Sequence, residues 1–173
     1  MTTRVAPSTP LGIVSPTIKV GLGVLAVTDE KGKGLSALGL GSCIGVAAYD
    51  PKVRVAGMVH VMLPDAGISS APGPAGKYAN TAIPALLDAM QRLGAAPNRL
   101  IIKIAGGAQM FASGGGNLNI GARNAVAVRA ALAAAKLTIR AADTGGNAGR
   151  TLELWVDDGR TTVRAAGKAA FEI

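Results

Sequence analysis

"GLSALGLGSCIGVAAYD", residues 34–50, reads as two strands, 34–41 and 44–50, joined by a turn that glycine punctuates. Similar apolar runs flank the pair, at 20–28 ("VGLGVLAVT") and 55–63 ("VAGMVHVML"), so the first third of the chain is predicted to be strand after strand. Further strands are expected at 99–105, 137–142, 151–157 and 161–166. Two segments break this rhythm with helical spacing. "NTAIPALLDAMQRLG" (80–94) offers Asn80 as an N-cap, apolar residues at 83, 86, 87, 90 and 93, and Gly94 as a stop. "ARNAVAVRAALAAAKL" (122–137) is Ala-rich, with Arg123, Arg129 and Lys136 on its wetter side. The order is strands, helix, strand, helix, strands. It departs from the regular alternation of a doubly wound parallel fold and predicts an α+β domain with mixed or antiparallel sheets and helices on one side.

The 173 residues suit one domain. Hydrophobic residues make up 49% of the chain but aromatics only 3%, so the core is expected to be built from Ala, Val, Leu and Ile. The first 16 residues, rich in proline, read as a flexible tail, and residues 17–173 as the folded domain. That start has no continuous apolar segment of the secretory kind, and no run approaches the ~20 apolar residues of a membrane span. A lone cysteine excludes an internal disulfide and fits a reducing compartment such as the cytoplasm. The net charge of +8 is spread along the chain, and five aromatic residues supply little for stacking bases, so nucleic acid is not the expected partner.

Nucleotide and metal motifs fail on inspection. "GLGSCIG" is one residue off the dinucleotide fingerprint and leads into a strand, where the fingerprint needs a helix. With one cysteine, one histidine and no paired ligand spacing, neither a metal nor another cofactor is expected. The chemistry then narrows to that pair, Cys43 and His60. On composition alone they read as a buried small residue and a satisfied ring. Their context adds a second reading. Gly39, Gly41 and Ser42 leave the backbone open before Cys43, and the main-chain amides of Ser42 and Cys43 are candidate oxyanion donors. The junction of two strands is expected to expose the sulfur. A hairpin partner can bring His60 beside it, drawing the thiol pKa downward. The stretch 64–79, "PDAGISSAPGPAGKYA", and the segment "GGAQMF" are candidates for shaping a cleft.

The blocks "LGLGSCIGVAAYDP", "AGMVHVMLPDAG", "GKYANTA", "KIAGGAQMF", "NIGARN" and "DTGGNAGR" occur in the order in which they stand in the chemoreceptor glutamine deamidase family, CheD, and the chain resembles that family from about residue 20 to 165. The resemblance implies a three-layer α/β/β sandwich related to the catalytic domain of cytotoxic necrotising factors. It also implies cytoplasmic hydrolysis of receptor glutamine side chains to glutamate in bacterial chemotaxis. Cys43 falls on the family's nucleophile and His60 on its general acid and base. The implied partners are the cytoplasmic helices of chemoreceptors and a CheC-type phosphatase. The family's third catalytic residue, a threonine six residues before the cysteine, is Ala37 here, and in a strand the adjacent Ser36 faces the other way. That departure supports an alternative: a weakly active or non-enzymatic regulator that binds receptor or phosphatase on the same fold.

Overall fold

The computed structural model describes residues 17–68, 72–110 and 119–173. The tail expected over 1–16, residues 69–71 of the Gly/Pro-rich stretch and Phe111 of "GGAQMF" lie outside the described residues. The strands are β1 (Thr17–Lys19), β2 (Leu25–Thr28), β3 (Gly34–Leu40), β4 (Ile44–Asp50), β5 (Val55–Val61), β6 (Ile101–Gly106), β7 (Ile139–Thr144), β8 (Arg150–Trp155), β9 (Thr161–Ala165) and β10 (Phe171–Glu172). The helices are α1 (Ala79–Arg92) and α2 (Ile120–Ala134).

These form three layers. A central sheet has the order β2-β5-β4-β6-β7 and an outer sheet the order β1-β3-β8-β9-β10. Both are mixed: β1 runs parallel to β3 and β6 parallel to β7, while the remaining pairs are antiparallel. Strand alternation explains the layering. In β4, Ile44, Val46 and Ala48 join Ile83, Leu86, Met90 and Leu132 in a core beneath the helices. Ala47 and Tyr49, on the opposite face, join Leu35, Leu40, Leu152 and Leu154 in a second core between the sheets. All seven residues of β4 are buried, as a strand covered on both faces must be. Each fully buried Leu or Ile contributes about 1.5–3 kcal/mol, so two aliphatic cores hold the domain together with few aromatics.

The α+β expectation holds, with corrections at element ends. The strand predicted over 20–28 starts only at Leu25, because residues 21–24 turn the chain from the outer sheet to the central one. Short β1 and β10 carry too few residues to show a period, and the sequence reading missed them. Asn80 is not the N-cap of α1. Tyr78 holds that position without a side-chain cap on the helix amides, and Asn80 sits inside the first turn, accepting from Ala66 N and donating to Asp65. Gly94 does end α1, at φ +88°. Asn119 caps α2, its Oδ1 accepting from Ala122 N at 2.9 Å. At the end of β4, buried Asp50 accepts from Arg99, from Ala96 N and from Lys52 N, tying the turn before β6 to the central sheet.

Candidate active site

β3 belongs to the outer sheet and β4 to the central sheet, so residues 41–43 carry the chain across the gap between them. The crossing starts with a register shift in β3 between Ala37 and Leu40, where Gly39 adopts φ +68°. A side chain is disfavoured in that region, which is why glycine stands there. Cys43 closes the turn. It is half-buried and packs against the inter-sheet core.

The carbonyls of this turn are all occupied. Gly41 O accepts from Ala108 N at 2.7 Å, Ser42 O from Asn124 Nδ2 at 2.9 Å, and Cys43 O from Gly107 N at 2.8 Å. The close seating of the third depends on Gly106 (φ +115°), where a Cβ would collide with the Cys43 carbonyl. By contrast, no acceptor among the described residues takes the main-chain N–H of Ser42 or Cys43. Among the described residues these two adjacent amides are left free, and free main-chain N–H groups can receive a developing oxyanion.

His60 lies in β5, directly opposite Gly45 of β4. Alternation turns Ala56, Met58 and His60 toward the outer sheet, the same face to which Cys43 belongs. Extending the β4–β5 register makes Cys43 and His60 diagonal neighbours, a spacing of about 7–8 Å that long side chains bridge. The ring is 1% exposed. Its Nδ1 donates to the main-chain carbonyl of Val20 at 3.2 Å. A carbonyl only accepts, so the neutral ring carries its proton on Nδ1 and leaves Nε2 as an acceptor. Nε2 is buried and holds no hydrogen bond to any described residue, the thiol included.

The expected lowering of the thiol pKa is absent from the free chain. Burial pushes Cys43 up. Burial also pushes His60 down, and the bond to Val20 only partly opposes it. The resting pair is therefore a thiol and a neutral imidazole, because neither charge is well solvated where it would form. Ala37 is fully buried in the inter-sheet core, and Ser36 on the other face of β3 bonds Glu153 at 3.4 Å. Ser36 thus does not stand in for a threonine toward His60; the Val20 carbonyl orients the ring instead.

Sequence reading did not find Val20, whose contribution is a main-chain atom, or Asn124. Asn124 left one signal: it shares a four-residue spacing with Val128 and Leu132, which marks the buried stripe of α2. Among the described residues no group of acidic, histidine or cysteine side chains could hold a metal ion. A cavity of about 840 Å³ lies between α1 and α2 with Pro84, Val126 and Ala130 in its lining, on the helix side of the central sheet.

Residues 62–165 match the family model described as CheD chemotactic sensory transduction. The chain is 48% identical over 157 residues to the probable chemoreceptor glutamine deamidase CheD of Symbiobacterium thermophilum, spanning 89% of this chain and 95% of the relative. It is 44% identical over 148 residues to the chemoreceptor glutamine deamidase CheD of Thermotoga maritima (86% and 91%). Against the probable enzyme of that name from Archaeoglobus fulgidus it is 43% identical over 148 residues (85% and 92%).

Proposed function

Because this chain belongs to the CheD family of chemotactic sensory transduction proteins, we propose that it hydrolyses the side-chain amide of selected chemoreceptor glutamines to glutamate, with Cys43 as nucleophile and His60 as general base and acid. One observation carries the assignment of roles. The imidazole, tied at Nδ1 to Val20, keeps an Nε2 without a partner among the described residues on the sheet face that bears the thiol, and the amides of Ser42 and Cys43 likewise have no acceptor among them.

The chemistry follows from that arrangement. As the substrate glutamine enters, the Cys43 proton passes to His60 Nε2 while Sγ bonds the amide carbon. Negative charge gathers on the amide oxygen, which accepts from the N–H groups of Ser42 and Cys43. Collapse of this adduct breaks the C–N bond, and the nitrogen leaves as ammonia with the proton from Nε2. A water molecule then gives a proton to Nε2 and attacks the thioester. The C–S bond then breaks, Nε2 returns its proton to Sγ, and the carboxylic acid gives its remaining proton to solvent as it leaves as carboxylate. A neutral resting pair suits this sequence, because the thiolate forms only when the electrophile is present. No cofactor enters any step.

In this reading the protein works in the cytoplasm on receptor helices and pairs with a CheC-type phosphatase. Among the described residues no helix is long and apolar enough to cross a membrane. The alternative, a binding regulator with little or no catalysis, draws on Ala37 and on the raised thiol pKa. Mass spectrometry of receptor cytoplasmic fragments separates the two. The unmodified protein converts amide to acid at discrete glutamines and Cys43→Ala does not. Binding of the fragments without any conversion overturns the deamidase reading in favour of the regulator.

A further inference from the structure

Asn124 takes no direct part in the steps above, yet it touches the backbone on both sides of the reacting pair. It is fully buried on the inner face of α2, where an amide costs free energy unless bonded. Its Nδ2 donates to Ser42 O at 2.9 Å and to Met62 O at 2.8 Å. One carbonyl belongs to the residue before Cys43, the other to the second residue after His60. Both partners are acceptors, so the amide group's orientation is fixed by them. Its Oδ1 is buried without a hydrogen-bond partner among the described residues. The side chain is thus used wholly as a donor.

We infer that Asn124 is a positioning residue for the deamidation: by holding the Ser42 carbonyl it aims the Cys43 N–H at the oxygen of the substrate amide. In a trans peptide unit the carbonyl and the following N–H point in opposite directions, and no cis peptide bond occurs among the described residues. Drawing Ser42 O toward α2 therefore turns the Cys43 N–H away from the helix layer. Ala108 and Gly107 hold the carbonyls on either side, so the peptide has little freedom to rotate. The bond to Met62 O gives the same planar amide a second hold, on the chain just past the His60 strand. Nucleophile turn and base strand are pinned through one side chain. This assignment rests on the deamidase reading.

The test compares Asn124→Ala and Asn124→Leu with the unmodified protein on receptor cytoplasmic fragments. Expected is a fall in kcat of about 10²-fold with KM changed by less than about threefold, the signature of a lost oxyanion donor. Alkylation of Cys43 by iodoacetamide builds no oxyanion and should stay within about threefold of the unmodified rate. A folded variant that keeps kcat within that range, or loses deamidation and alkylation in equal measure, overturns the inference. Should neither variant fold, the Cys43→Ala protein with Asn124 intact supplies the readout. Its residue-43 amide resonance moves downfield on adding the fragment, and an unmoved resonance overturns the aim assigned to that N–H. If the unmodified protein binds the fragments but leaves them unconverted, the deamidase reading itself has failed. Activity retained by both the unmodified protein and the variants refutes the role of Asn124 alone.

Discussion

His60 donates through Nδ1 to the carbonyl oxygen of Val20, 3.2 Å away, and so reaches from the central sheet to the chain just past β1 of the outer one. The orienting partner is a main-chain atom, which no side-chain substitution at position 20 removes. Restoring the family threonine is then expected to bring little. Ala37→Thr adds two heavy atoms to a fully buried site in the inter-sheet core. It should cost about 1–3 kcal/mol of stability by overpacking and leave kcat within about threefold. Denaturant melts and deamidation kinetics on the same preparation check both halves.

Removing either member of the pair should separate chemistry from binding. Cys43→Ala and His60→Gln are each expected to lower kcat by at least about 10³-fold, because the two act as a unit. Affinity for receptor fragments should remain within about threefold. Calorimetric titration beside mass spectrometry distinguishes this outcome from a folding defect.

The pH profile should be broad. The acid limb reports His60, whose pKa burial holds below the ordinary imidazole value, and the alkaline limb reports Cys43, whose pKa burial raises. Stability carries the same information with a definite sign. Between the lowered folded value of His60 and the unfolded value of about 6.5, the unfolded chain binds more protons than the folded one. Stability therefore rises with pH through that window, is fully present above it, and is lost as pH falls through it. His60→Leu should flatten this slope in urea melts taken across the window.

Asp50 gives a purely structural control. Burial alone would raise its pKa, but the Arg99 guanidinium and the N–H groups of Ala96 and Lys52 outweigh that and hold it low. Its contribution is present above the ordinary carboxylate pKa and lost as pH falls through the lowered folded value. Asp50→Ala should cost about 2–4 kcal/mol without altering kcat per folded molecule. A kcat change beyond about threefold would show that the far end of β4 communicates with the thiol.

How far the sequence carried the fold depends on length of pattern. β4 and β5 showed as long apolar runs, and Gly94 marked the end of α1 by its positive φ. β1 and β10 did not show, because three and two residues contain no period, and they form only by adding to existing sheet edges. In the site, Cys43 and His60 stood out as the single thiol and the single imidazole. The Val20 carbonyl could not, since every residue has one and only the tertiary fold selects it. Asn80 misled for a related reason. Its side chain had better partners in Ala66 and Asp65 than the helix end it was expected to cap.

The crossing at residues 41–43 has a mechanical consequence. The strand just before it, β3, is stitched into one sheet and the strand just after it, β4, into the other, and the thiol rides on the seam. A small slip of one sheet over the other would misalign Cys43, His60 and the Val20 carbonyl before any strand comes apart. Heat should therefore silence the enzyme before it melts the protein. Activity assayed along a temperature ramp should fail several degrees below the loss of circular dichroism, and a coincident loss would show that the seam is as firm as the sheets it joins.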